Sequence, residues 1–306
     1  MAVFQKRNIP LYEINFRAKE PKAFIAACDR RYESALAAIV ADALETLGQK
    51  NVFMLAGPSA SGKTTTAHKL AAAFGRRSVE ARVISLDDFY RGRGFCPKRE
   101  DGTEDYETVH SLDLDCFTAC MEKLLAEGEA EFPIFDFQVK QRAEETRHIS
   151  LGRDQALIIE GIHGLNPLLT RGIEGRVKRV YATAMDRFVG DDVVLKTNDL
   201  RFCRRIVRDC RHRNVSGAET VDIWPYVCDG EFIYIKPYRS ECDYYVNTAF
   251  GYEPGIYAGY LRAILEGMGD IPQTGKVGHI LRKLQRFVPI DPALVSKDAM
   301  VQEFIG

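Results

Sequence analysis

The residues from Gly57 to Thr64, "GPSASGKT", set two glycines around a four-residue turn and follow the second with a lysine and a hydroxyl. Such a loop bends so that consecutive backbone N–H groups, here from Ser59, Ala60, Ser61 and Gly62 through Lys63, Thr64 and Thr65, point at one anion. The apolar run "VFMLA" before it reads as a strand, and "KTTTAHKLAAAF" after it as a helix whose positive end adds to the attraction. Lys63 then reaches the outer phosphates of a nucleoside triphosphate, and the Thr64 hydroxyl can hold Mg²⁺. A phosphate cradle serves kinases, GTPase switches and mechanical ATPases alike, so the choice among them rests on other residues.

"VISLDDFYRG" places Asp87 and Asp88 just past a second apolar run, at the carboxyl end of a strand, where parallel-sheet proteins put their sites. A carboxylate there accepts the proton of an attacking hydroxyl or binds Mg²⁺, directly or through water. Capping the next turn is the plainer role, and it suits Asp88 better than Asp87. "ALIIEGIHGLN" runs straight into Glu160, an acid at a strand end beside the phosphate loop and so a metal partner by position, although Asp is the usual residue there. In "NDLRFCRRIVRDCRHRN", Arg201, Arg204, Arg205, Arg208 and Arg211 recur at steps of three and four, while Phe202, Ile206 and Cys210 form another stripe. Alone, that is a solvated basic face or an RNA-binding helix. Over a phosphate loop it is a lid whose guanidinium groups neutralise a transferring phosphoryl group and screen it from water.

Positioning these residues calls for several strands ending on one side. Short β-rich runs at 52–56, 81–86, 156–161, 178–183 and 243–248 alternate with helical patterns near 63–74, 113–127, 197–212 and 255–267. Continuous apolar strands separated by helices predict an α/β fold of the P-loop NTPase type: a parallel sheet with helices on both faces and an Arg-rich helical lid. Residues 1–48 read as a strand and amphipathic helix lead-in, the helix running from about Pro21 to Leu47 with Phe24, Tyr32, Leu36 and Val40 on its apolar face and Gly48 as its stop. Residues 49–306 then form the P-loop domain, with 91–108 an extended polar surface loop.

The 42 basic and 43 acidic residues nearly cancel, which excludes a global field for gathering nucleic acid or coating an anionic membrane. No run approaches the roughly 18 apolar residues of a membrane helix, and "MAVFQKRNIP" lacks the apolar core of a secretory signal, so a cytoplasmic location is expected. Eight cysteines without a CxxC pair are expected to be reduced packing residues.

In order along the chain, "GPSASGKTTT", "LDDFY", "DYET", "FDF", "IIEGIHGLNP" and "NDLRFCRRIVRD" resemble the uridine kinase and phosphoribulokinase family of P-loop kinases, in particular its bacterial uridine-kinase-like branch. The resemblance implies an ATP- and Mg²⁺-dependent kinase acting on a small-molecule hydroxyl, with no nucleic-acid or membrane partner and with homo-oligomeric assembly. It implies that Asp87 is the base, that Thr64, Glu160 and Asp87 attend the metal, and that Lys63, Arg201 and Arg204 stabilise the moving phosphoryl group. It also assigns Glu107 of "DYET" to ribose hydroxyls and Tyr106 to an aromatic neighbour, with Tyr90, Phe135, Lys140, Arg142 and Arg201 completing the acceptor set. One motif departs: uridine kinases typically carry Tyr-Asp-Phe and, three residues on, His, whereas "FDFQVKQR" has Phe135 and Lys140 at the two base-reading positions. A phenyl ring cannot hydrogen-bond a base edge and a lysine offers only donors. A nucleoside such as uridine or cytidine is the leading acceptor. A sugar, polyol or sugar phosphate is the alternative, and a nucleotide-dependent RNA-binding protein is the alternative of another class.

Overall fold

The computed structural model describes residues 4–192, 194–267 and 275–306. Strand β1 (Arg7–Pro10) runs into α1 (Leu11–Arg17) and the long α2 (Pro21–Leu44), followed by β2 (Val52–Ala56), α3 (Lys63–Gly75) and β3 (Ala81–Ser85). After an irregular stretch come α4 (Leu114–Glu127), the strands β4 (Glu129–Asp136) and β5 (Gln141–Ser150), then β6 (Ala156–Glu160), β7 (Val177–Thr183), β8 (Asp186–Val189) and β9 (Val194–Leu195). The remainder holds α5 (Thr197–His212), α6 (Gly217–Gly230), β10 (Tyr244–Asn247), α7 (Glu253–Gly267), α8 (Lys276–Leu284) and α9 (Gln302–Ile305).

Every residue of β2 is apolar and buried, and the strand lies mid-sheet. The main sheet is parallel with the order β10-β7-β2-β6-β3, so β2 pairs on both edges. Alternate β2 side chains feed opposite cores. Phe53 and Leu55 join the face covered by α2, α3, α5 and α7, and Val52 and Met54 join the face closed by α4 and the β4–β5 hairpin. A strand buried on both faces has no use for polar alternation, which is why "VFMLA" reads as one apolar run.

The predicted helices and strands recur within a few residues; α2 stops at Leu44, three residues before the expected Leu47, and turns carry the chain on to Gln49. Three features differ from expectation. The antiparallel β4–β5 hairpin has no counterpart in the sequence pattern, because most of β5 is exposed and lacks an apolar stripe. β1 pairs in parallel with β8, giving a separate small sheet with β9. The lead-in helix also braces the helix that follows the phosphate loop, since Tyr32 of α2 is hydrogen-bonded at 2.8 Å to Thr66 of α3 within the shared core. Among the described residues no helix is long and apolar enough to cross a membrane, and all eight cysteines are free thiols.

Candidate active site

β2 ends at Ala56 and α3 begins at Lys63, so residues 57–62 form the connecting loop. Ala60 and Gly62 both have left-handed backbones, φ 57° and 81°. This reversal turns successive N–H groups into one concavity. The loop's carbonyls are held from behind: Ser59 O accepts from Arg201 Nε at 2.9 Å, Ala60 O from Arg204 Nη1 at 3.3 Å and Ser61 O from Thr248 Oγ1 at 2.6 Å. Because C=O and the following N–H point opposite ways across a trans peptide, anchoring these carbonyls aims the N–H groups of Ala60 and Gly62 away from the anchoring side chains, while the Ser61 N–H closes the turn onto Pro58 O at 3.1 Å. Gly62 suits its left-handed φ, and a Cβ there would also lie 2.5 Å from Met300 Sδ and displace that side chain.

At the ends of β3 and β6 the acids gather as the sequence suggests. Glu160 is buried and its carboxyl is pushed up to about 7, chiefly by burial, with Lys63 opposing and Asp87 adding to the rise. Its Oε1 accepts from Ser85 Oγ at 2.9 Å and Thr64 Oγ1 at 3.3 Å, while Oε2 is buried without a partner in the protein. An all-oxygen set of one carboxylate and one hydroxyl, with an oxygen left over, fits Mg²⁺, which takes one or two carboxylates and fills the rest of its octahedron with phosphate and water. No self-sufficient metal cage of three or more His, Cys, Asp or Glu occurs among the described residues. Half-buried Asp87 donates its N–H to Ser85 Oγ, so Ser85, absent from the sequence reading, ties the two acids together. Asp88 is structural: it accepts from Phe135 N and pairs with Arg147, fastening the hairpin.

Glu107 faces the same space. Burial pushes its carboxyl up to about 7 against the pull of Arg205 and Lys63. Tyr90, Tyr106 and Phe135 stand beside it as linked rings, with centroids 6.0 Å apart for Tyr90–Tyr106 and 5.9 Å for Tyr90–Phe135. Two expected acceptor residues are not brought in. Lys140 sits exposed in the hairpin turn with φ 55°. Arg142 is drawn off by Asp113, the N-cap of α4, at 3.1 Å. Conversely, sequence reasoning missed a roof over Glu107 from α6 and the turn after it. A Cβ on Gly230 would come within 2.6 Å of Glu107 Cβ, and Tyr234 donates to Asp105 and packs against the buried ring of His163. Burial pushes His163 down to about 4, so it is neutral at ordinary pH. The "IHG" stretch was the available signal for His163; nothing local marked Gly230.

Glu107 titrates higher folded than its ordinary 4.5, so the folded protein holds a proton that the unfolded chain has lost. Stability should therefore fall as pH rises from about 4.5 to about 7, by roughly 3 kcal/mol from this group. Glu107→Gln should flatten that part of a pH series of urea melts, leaving the Glu160 contribution.

The arginine helix is turned inward. Arg201 and Arg204 are 1% and 0% exposed, Arg205 and Arg208 are partly buried, and Arg211 at the end of the stripe is exposed. Arg201 and Arg204 differ in what they can reach. All five donor hydrogens of Arg204 are committed: to both Glu253 oxygens at 2.7 and 2.6 Å, to Ala60 O, to Thr248 Oγ1 and to Thr248 O. That corrects its expected contact with the phosphoryl group, since a saturated guanidinium has nothing to offer it. Arg201 bonds Ser59 O through Nε and Glu231 through Nη1 at 2.6 Å, but its Nη2 has no partner. Nη2 shares an edge with Nε and so lies on the side facing the loop. Arg205, one of the stripe but given no role of its own by the sequence, bonds Ser59 Oγ at 2.8 Å and is the cation that acts most strongly on Glu107.

Thr65 is also corrected. Its N–H and Oγ1, expected to hold phosphate, both donate to Glu303 Oε2 at 3.3 and 2.7 Å, and Arg208 Nη1 meets the other Glu303 oxygen at 3.2 Å. A carboxylate from the last helix thus occupies an anion position at the start of α3. Glu303→Gln should tighten ATP binding about three- to tenfold, because it removes both a competitor and a like charge. Titration of ATP into the two proteins measures it, and weaker binding by the variant would make Glu303 a support instead.

A sequence profile of the phosphoribulokinase/uridine kinase family matches residues 52–249, nearly two-thirds of the chain. The chain belongs to that family. Membership makes it an ATP-dependent kinase of the uridine kinase/phosphoribulokinase type. It is 27% identical over 242 residues to a uridine kinase of Brevibacillus brevis, an alignment covering 79% of this chain and 98% of the relative. A uridine kinase of Bacillus pumilus is 29% identical over 165 residues, 54% of this chain and 70% of that one. Among solved structures, a candidate fructose transport system kinase from Silicibacter sp. TM1040 superimposes with a TM-score of 0.50 at 19% identity, covering 69% of this chain and 98% of its own. That likeness speaks to the fold.

Proposed function

We propose that this family member uses Mg²⁺ and ATP to phosphorylate a hydroxyl of a small polyhydroxy molecule, with a pyrimidine nucleoside, at its 5′-hydroxyl, as the leading acceptor. The observation that carries the reading is the convergence of Lys63, Glu160, Asp87 and Glu107 at the strand ends, close enough for the lysine's charge to act on both glutamates and for Asp87 to act on Glu160. Thr64 and Glu160 would hold Mg²⁺, which supplies positive charge against the phosphoryl oxygens. Asp87 accepts the proton of the attacking hydroxyl. Glu107 can take two adjacent hydroxyls at once, as a ribose offers, and the Tyr90–Tyr106 pair gives it aromatic flanks. Lys63 carries the charge that builds during transfer, with the Arg201 and Arg205 guanidinium groups behind the loop adding to the positive field. The loose transition state asks chiefly for such positioning and neutralisation.

A sugar, polyol or sugar phosphate is the second reading, and Phe135 favours it. The ring is buried, has no polar atom and packs 5.0 Å from Phe137, so no hydrogen bond to a base edge comes from that position. An ADP-release assay with Mg-ATP and a panel of nucleosides, sugars, sugar phosphates and polyols decides. Efficient turnover of uridine or cytidine supports the leading reading. Turnover confined to the other compounds reassigns the pocket, and failure to bind ATP at all overturns both.

A further inference from the structure

A second cavity, of about 200 Å³, opens between the N-terminal segment, the end of β7, the start of α5 and the turn after α6, and none of Lys63, Asp87, Glu107 or Glu160 lines it. Six cations do: Lys6, Arg187, Lys196, Arg201, Lys236 and Arg239. Glu231 is the single acid among the described residues that line it, and that carboxylate is already shared between Arg201 at 2.6 Å and Lys236 at 3.6 Å. Other contacts of these cations are with neutral groups. Arg187 Nε donates to Asn8 Oδ1, and the Arg239 guanidinium lies 4.1 Å from the centre of the Phe4 ring. Burial and then the charges of Lys236, Arg239 and Arg187 lower the pKa of Lys6, with Glu231 as the smaller opposing influence.

Converging like charges oppose one another, and focusing them in a concave site raises the local concentration of counter-ions. The space is below the range of pockets that enclose drug-sized ligands, so its complement is compact. The geometry points to a binding site for a small phosphate-class polyanion, such as the phosphate or diphosphate group of a metabolite, separate from the phosphate loop. Arg201 belongs to both places: its Nη1 side faces Glu231 in the cavity and its Nε holds the Ser59 carbonyl of the loop.

The test uses inorganic pyrophosphate as the probe, titrated calorimetrically at low salt, where such contacts are least screened. Because the phosphate loop also binds this ion, the protein is the full chain carrying Lys63→Ala, compared with the same chain bearing Lys6→Ser and Arg187→Ser in addition. The Lys63→Ala protein should retain one equivalent of pyrophosphate, and the triple variant should bind it at least about tenfold more weakly. Matching thermal melts establish that both variants are folded. No binding to Lys63→Ala, or equal binding by the triple variant, overturns the site. The wild type's extra equivalent, lost with Lys63, reports on the phosphate loop independently, so failure of one site is not mistaken for failure of the other.

Discussion

Asp87→Asn should lower kcat by roughly 10²–10⁴-fold, the usual contribution of a positioned base. ATP affinity should stay within about twofold, since a loss confined to turnover marks an interaction made in the transition state. The substitution keeps the shape of the side chain and removes its capacity to accept a proton. Its surroundings should also persist, because the Asp87 backbone is held by Ser85 Oγ and Ser85 in turn bonds Glu160. Asp87 also stands among the residues expected to attend the metal, and the two roles separate experimentally. Removing a base is not remedied by more Mg²⁺, whereas removing a metal ligand shifts the Mg²⁺ concentration for half-maximal rate upward. Steady-state rates across a Mg²⁺ series therefore measure both, and full rescue at high Mg²⁺ would end the base assignment.

What the sequence reveals of this site follows from how local each constraint is. The phosphate loop is legible because its geometry is encoded in eight consecutive residues, Gly57 to Thr64, between a strand and a helix that each declare themselves. Glu160 is legible because a buried parallel strand is an unbroken apolar run and the acid ends it. The arginine stripe of α5 is visible as a period, but period does not say which way a face turns. A cationic stripe looks solvated until a buried carboxylate such as Glu253 is brought from 49 residues away to meet it. Glu303 and Thr65 meet across 238 residues, and Gly230 meets Glu107 across two strands of the central sheet, β6 and β7, so no window along the chain records either contact. Lys140 fails for the opposite reason: its place in a motif is local, but the hairpin turn that carries it aims the residue outward.

Arg204→Ala should reveal a structural arginine where the family resemblance implied a catalytic one. Its guanidinium and the Glu253 carboxylate are both wholly buried. Burial works against the arginine's charge, yet Glu253 more than compensates and holds its pKa above the usual range. Glu253 also accepts from Phe250 N and Tyr257 Oη, so it remains in place when the arginine is removed. What is left is an unpaired buried carboxylate, which costs about 3–5 kcal/mol. The Ala60 carbonyl and Thr248 lose their tether at the same time, so the phosphate loop should loosen as the protein destabilises. Arg204→Lys should rescue little, because a single ammonium cannot reproduce a two-oxygen fork plus two carbonyl contacts. Replacing both partners, Arg204→Met with Glu253→Gln, should recover part of the stability by removing the orphaned charge. Arg201→Ala provides the contrast. Its partner Glu231 keeps Lys236 at 3.6 Å, so less stability is lost, while the Ser59 carbonyl loses its tether, the positive charge behind the loop disappears and turnover falls. Thermal unfolding and steady-state rates on the four proteins should thus separate along two axes. An Arg204→Ala protein that melts like the wild type but has lost its turnover would return Arg204 to the phosphoryl group.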